Sequence, residues 1–358
     1  MNSHASQPAL PIGERELVAM LALVQALHAL AIDSMLPGLG NIAHDLGVAD
    51  PNRRQLIVGV FLIGLGLGSL VPGSFADRFG RKPVLLACIG GYVALTLASA
   101  LVTDFDVLVL IRLVQGIISA GLSVVPSAII RDRFDGDRMA RLQSTIGMIF
   151  MIVPMIAPSI GQAILLFAGW RWIFGLMAAQ GIVMASWIAW RLPETLHPEF
   201  RQPIRPRIIA ANMGQALIDR GSIGYVLATG CTMGVGWGYV QSSQQIIAEH
   251  FGAGATFPLF FGGMSLSMAL ASLTNSRIVE KFGARRVSHT ATLVYIVIST
   301  LQVLLAHSRY ENLWTFALLL ALNLMMSGFI GANFGSIAMQ PFARTAGAAS
   351  SVQSFTRL

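Results

Sequence analysis

The chain has 358 residues, 54% of them hydrophobic and only 11% charged, with a formal net charge of +7. Soluble domains carry about 25% charged residues, so the composition excludes an ordinary water-soluble enzyme or binding module and requires lipid as solvent. The two cysteines, Cys88 and Cys231, lie in apolar runs and exclude a disulfide framework or a zinc site.

A spanning helix needs roughly 20 apolar residues. Met1 to Arg15 is polar and short, and the run after it has no small-residue cleavage pattern, so it reads as a first span rather than a cleaved leader. In chain order the expected spans are Leu17–Pro37, Leu56–Ser74, Pro83–Val102, Val107–Ile130, Leu142–Phe167 and Trp172–Trp190. After a polar stretch come Ile223–Ile247, Phe257–Asn275, Val287–Ala306 and Leu313–Met339. The expected fold class is therefore an all-α membrane protein of about ten complete transmembrane helices.

Between the second and third spans lies a short basic turn, Gly73 to Val84, containing Asp77, Arg78, Gly80, Arg81 and Lys82. Two spans joined this tightly must be antiparallel neighbours. About 200 residues later the pattern returns between Ser276 and Arg286: Glu280, Lys281, Phe282 and Gly283 stand for Asp77, Arg78, Phe79 and Gly80, and Arg285 stands for Lys82. An acid, a base, an aromatic and a glycine in the same register mark a duplicated half, as in transporters built from parallel repeats. The expected organisation is an N-terminal half at 1–192, a linker with several prolines at 193–221, and a second half at 222–358. After Arg344 only 14 residues follow, too few for a span, so the second half is expected to be incomplete.

The cations alternate by loop. Eighteen Lys and Arg fall on the side that carries the two basic turns and the N-terminus, against four (Arg53, Arg54, Arg171, Arg309) on the other. The positive-inside rule then puts the N-terminus in the cytoplasm. Basicity spread over alternate loops speaks for topology and against a nucleic-acid partner.

Three ionisable residues fall within apolar runs, where a charge costs several kcal/mol unless paired or hydrated. Asp33, at the outer end of the first span, reads as a proton carrier or as a helix-end acid in headgroup water. Arg112, in the fourth span, stays charged; it holds a carboxylate, tunes a nearby acid, or props backbone carbonyls. His28 reads as a packed ring, five residues from Asp33 and off its helical face. The fifth span holds Gly147, Pro154, Pro158 and Gly161, and prolines in a membrane helix bend it and free backbone carbonyls. Trp237, Tyr239 and Gln241 of the seventh span, with Gln115, Met148 and Met151, are candidates to line a site for lipophilic solutes, although an aromatic belt or simple packing explains Trp237, Tyr239 and the methionines as well. Walker, HExxH, GxSxG and credible GxGxxG patterns are missing. Gly64, Gly66 and Gly68 lie inside a span, where close helix packing accounts for them. No cofactor, no metal and no enzymatic activity are expected.

Together these residues resemble the major facilitator superfamily. Gly73-x-x-x-Asp77-Arg78-x-Gly80-Arg81-Lys82 is similar to its signature turn. Within it the chain resembles the drug/proton antiporters of the bicyclomycin and chloramphenicol resistance type. The resemblance rests on Asp33-x-x-Leu36-Pro37, on Arg112 with Gln115 and Gly116, on Pro154, Pro158 and Gly161, on Trp170 to Phe174, and on Leu192 to Leu196. Met35, Gly40 and Gln162 depart from that subgroup. The resemblance implies two six-helix halves rocking about a midplane site, a monomer in a bacterial inner membrane, export of small lipophilic compounds driven by the proton gradient, and proton coupling through Asp33 and Arg112. It implies that the turn from Asp77 to Lys82 stabilises the outward-facing state. The alternatives are a proton-coupled nutrient symporter, or a truncated or non-transporting membrane protein.

Overall fold

The structure, a computed structural model, describes residues 12–134, 136–197, 199, 201, 219, 221–339 and 355–356. Most of the expected linker and the segment around Arg344 lie outside them. Among the described residues, eight helices are long and apolar enough to cross a membrane, or nine if one bent pair is a single span. The expected seventh span, Ile223–Ile247, forms an α-helix over Ile223–Gln244 and is not among the eight. It has the length, about 33 Å at 1.5 Å per residue, but five glycines and a Thr, Ser and Gln content that dilute its hydropathy.

The helices are α1 (Glu14–Asp33), α2 (Leu39–Asp45), α3 (Leu56–Gly68), α4 (Pro72–Phe79), α5 (Arg81–Leu101), α6 (Phe105–Ser119), α7 (Gly121–Arg133), α8 (Gly136–Phe167) and α9 (Arg171–Arg191). Beyond the linker come α10 (Ile223–Gln244), α11 (Phe257–Phe282), α12 (Ala284–Ala306) and α13 (Leu313–Met339). Large apolar side chains such as Ile63, Leu110, Val183 and Val297 are exposed on the outside of the bundle, as befits a molecule whose solvent is hydrocarbon.

Several expected boundaries change. The first span does not stop at Pro37: α1 ends at Asp33, a short 3-10 turn follows at Leu36–Gly38, and α2 continues to Asp45, making one apolar path from Glu14 to Asp45. Pro37 cannot donate to the ladder, so it starts a new turn there. The second span breaks near Pro72, and α4 leaves α3 at an angle of 47°. The basic turn is therefore mostly helical. α4 runs to Phe79, and only Gly80, with φ of +103°, separates it from α5. The second turn repeats this: α11 runs to Phe282 and only Gly283, with φ of +79°, intervenes before α12. Both joints need the left-handed region that glycine enters without penalty.

Glycine also sets the closest crossing. On α3, a Cβ at Gly64 or Gly68 would run into the backbone of α6 at Leu113 and Ile117, and one at Gly116 would strike the carbonyl of Phe61. The two helices thus meet backbone to backbone. Gly73 is different: a Cβ there would meet Val124 only at an ordinary 3.6 Å, so it is not a point of close approach.

The main core contains residues from α1 through α9 and also Tyr239, Ile247, Phe257, Phe261, Met264 and Leu320. Those partners all sit at the end of α10, α11 and α13 remote from the basic turns. At the basic end the later helices form a separate core of Ala271, Ala291, Phe329, Ile330, Phe334 and Ile337. The two helix groups therefore share apolar packing at one end and keep their own cores at the other.

Candidate functional site

Arg112 is fully buried on α6. Its guanidinium donates to the carbonyl of Ala31 (2.8 Å), to Gln115 Oε1 (2.8 Å) and to the carbonyl of Ile57 (3.3 Å), and it lies 4.3 Å from the centre of the Phe61 ring. Gln115 Nε2 then donates to Thr96 Oγ1 at 2.7 Å, and Thr96 to the carbonyl of Tyr92. Tyr92 donates from its hydroxyl to the carbonyl of Leu27 at 3.1 Å. One connected network thus ties α1, α3, α5 and α6. A fully satisfied buried network specifies one arrangement of its helices. Gln115, bonded at both its oxygen and its nitrogen, is a member of this frame, which leaves little of it to line a site.

Asp33 lies close along α1, two residues beyond the carbonyl that Arg112 holds. It is 5% exposed, and among the described residues it has no ion pair or side-chain hydrogen bond. Of the readings open for Arg112, the structure shows the propping of backbone carbonyls and not a direct pairing with a carboxylate: the guanidinium is committed to two carbonyls and an amide. Nor is Asp33 a helix-end acid in headgroup water, because the chain continues to Asp45 and covers it. The backbone beside it is tightly held. A Cβ at Gly161 of α8 would collide with the carbonyl of Ser34, so Gly161 lets α8 press on α1 next to Asp33.

His28 is 9% exposed and stacks on Phe150 of α8 at 5.4 Å, with its Nδ1 buried and without a hydrogen-bond partner. α8 runs through Pro154 and Pro158 without ending. Gly147 faces open space. Met148 is half exposed, and the side chain of Met151 lies outside the described part. Tyr239 is buried, stacked on Phe261 at 6.0 Å, with an unpartnered hydroxyl. Trp237 is half-buried, and the Gln241 amide rests on Gly59 of α3, where any Cβ would crowd its Oε1.

At the basic end, Arg81 organises the signature turn. It is 3% exposed, pairs with Asp77 at 2.6 Å and bonds Asp132 of α7 through Nε at 2.7 Å. Lys82 Nζ donates to the carbonyl of Ala189 at 2.8 Å. Arg78 is exposed and lies over the Phe79 ring. The acid at the start of α5 is Glu194, whose carboxylate accepts the backbone N–H groups of Arg81 (2.9 Å) and Lys82 (3.3 Å), and those of Thr195 and Leu196 (both 2.9 Å). A carboxylate there satisfies orphan donors and faces the positive end of the helix. Glu194 and Asp132 were missed as site residues from sequence. The available signals were an acid set between Arg131 and Arg133, and an acid just past the sixth span, whose helix must return beside the third.

The second turn copies the backbone but not this network. Glu280, Lys281, Gly283 and Arg285 are exposed, and among the described residues no ion pair joins them. The reason is visible in the register: Ala284 occupies the place of Arg81.

The sequence profile described as Major Facilitator Superfamily matches residues 21–358. The chain belongs to the major facilitator superfamily. It is 30% identical over 338 residues to the bicyclomycin resistance protein homolog of Haemophilus influenzae, covering 94% of this chain and 84% of that protein. It is 29% identical to the multidrug resistance protein MdtL of Klebsiella pneumoniae, with the same coverage. In fold it is similar to a bacterial homolog of the human lysosomal transporter Spinster, solved in an inward-facing and unoccupied conformation (TM-score 0.74, 15% identity, 96% of this chain and 79% of that one). It is also similar to a D-xylose-proton symporter (TM-score 0.71, 16% identity, 96% and 87%). This superfamily chain is a multi-pass membrane transporter with resistance proteins among its relatives, and its family speaks for a transporter rather than an enzyme.

Proposed function

We propose that the chain is a proton-driven antiporter that exports small lipophilic or amphiphilic compounds across a bacterial inner membrane by alternating access. Asp33 carries the reading. It is a carboxylate buried in the first span with no cation bonded to it among the described residues. Such a group can gain and lose a proton as its surroundings alternate between wet and dry, which is what coupling to a proton gradient requires. Arg112 acts beside it as the anchor of α1 rather than as its partner. Relatives named for bicyclomycin and multidrug resistance support the substrate class. In this reading the basic end faces the cytoplasm with the N-terminus, residues 1–192 and 222–358 are the two rocking halves joined by 193–221, and the working unit is a monomer that needs no cofactor.

The test is drug accumulation in cells expressing the full chain, with and without a proton uncoupler, beside Asp33→Asn. The chain should lower accumulation, and both the uncoupler and the substitution should abolish that effect while the variant still reaches the membrane. Undiminished, uncoupler-sensitive export by Asp33→Asn would remove Asp33 from the mechanism.

A further inference from the structure

The end remote from the basic turns, where the two helix groups share a core, also carries polar bonds between them. Arg54 sits in the short 3-10 turn Arg53–Gln55 that leads into α3. It is 6% exposed, and its Nη2 is 2.6 Å from Glu249 Oε2, 195 residues away. The next residue, Gln55, donates from Nε2 to Gln245 Oε1 at 2.7 Å, and Gln245 Nε2 reaches Asn52 Oδ1 at 3.4 Å.

The local structure serves this contact. α10 does not continue as an α-helix past Gln244; residues Gln245–His250 form a π-helical turn. Such turns are rare and concentrate at functional sites. This one carries both Gln245 and Glu249, the two residues that reach across. The opposing surface is small. A Cβ on Gly40 would fall 3.5 Å from Arg54 Nη1 and 3.7 Å from Gln244 Nε2, and a Cβ on Gly59 would fall 2.7 Å from Gln241 Oε1. Glycines on one side thus receive amides from the other. Glu249 remains 44% exposed in its side chain, so water can reach the pair from this end.

We propose that Arg54 and Glu249 form a latch that holds this end of the transporter shut and must part for this end to open in each cycle. A guanidinium is suited to the task. It makes a directional bond to a carboxylate, and it remains charged and hydratable when the pair separates. The flanking amides of Gln55 and Gln245 fix the register of closure and can exchange their partners for water. The latch does not depend on the identity of the cargo or on proton coupling.

The experiment uses a reporter cysteine at Ser243, a fully buried position on α10 two residues before Gln245. Cys88 and Cys231 are first replaced by serine. Alkylation of Ser243→Cys by a charged maleimide is timed in the full chain in lipid nanodiscs. Loss of one partner of an interfacial charge pair weakens closure, so Arg54→Ala and Glu249→Ala should each label roughly fivefold faster than the parent. The double variant should label no faster than either single, because partners in one interaction are not additive. An unchanged rate in either single variant, or rate increases that multiply in the double, would overturn the latch.

Discussion

Glu194 offers the sharpest test of how the signature turn is held. Its carboxylate is half-buried and accepts two backbone N–H groups from the first turn of α5, at 2.9 and 3.3 Å, 113 and 112 residues away in sequence. Hydrogen bonds to a charged group are worth about 1.5–3 kcal/mol each. The longer of these two is weak and the site is partly wet, so about 2 kcal/mol for the pair is a reasonable sum. Hydrogen exchange reads this directly, since amides of a helix end exchange through local opening. At 1.4 kcal/mol per tenfold, Glu194→Ala should speed exchange of the Arg81 and Lys82 amides by roughly thirtyfold. Glu194→Gln keeps one acceptor oxygen without the charge and should speed it by about fivefold. Peptides from the middle of α5 should not change, because their bonds are intrahelical. If Arg81 and Lys82 exchange at the parental rate in Glu194→Ala, the carboxylate does not cap this helix and the account of the turn is wrong.

Other substitutions probe the frame. Gly116→Ala forces a Cβ into the Phe61 carbonyl and should cost about 1–3 kcal/mol, seen as a lower midpoint of thermal aggregation in detergent. Gly147→Ala meets nothing within 4 Å and should leave that midpoint unchanged or raise it slightly, since alanine favours the helix by roughly 1 kcal/mol. Arg112→Met keeps an apolar stem but leaves Gln115 Oε1 and two carbonyls without their donor. It should lower stability by about 2 kcal/mol or more and abolish transport, both measurable on purified protein and in cells. Gly80→Ala must adopt a φ of +103° and place a Cβ against Glu194, so it should mimic Glu194→Ala in the exchange experiment.

Much of the frame was legible because glycine, proline and charge act locally. Gly80 and Gly283 were readable as joints, since each follows an aromatic and precedes an apolar run. The depth of Arg112 was readable because no other cation sits inside a span. Its partners were not, because carbonyls leave no mark in composition and Ala31 and Ile57 come from other helices. Asp132 and Glu194 were missed for a related reason: they reach Arg81 over 51 and 113 residues, and only the packing of α5 against α7 and α9 brings them there. The continuity of α1 into α2 was hidden by Pro37, which ends a ladder but did not end the path. The seventh span was legible as a helix although its hydropathy is too low for a composition test, because its flanking polar stretches set its limits.

The polar bonds of the two ends differ in kind, and that difference bears on the state observed. At the basic end, Asp77, Arg81, Asp132 and Glu194 bind α4, α5, α7 and the chain after α9 to one another, all within the first helix group. Glu14 pairs with Arg138 and Arg141, and Glu16 with Arg191, again within that group. The facing turn on the second group, Glu280 to Arg285, is exposed and has its own core behind it. At the other end Arg54, Gln55 and Asn52 bond across to Glu249 and Gln245, over a shared core. The structure therefore matches a state shut at the remote end. In the cycle proposed above, the cross-group bonds at Arg54 and Gln55 are the ones that reversal would release. The bonds at Asp77, Arg81, Asp132 and Glu194 join elements of the first group only, so that same movement would not need to break them.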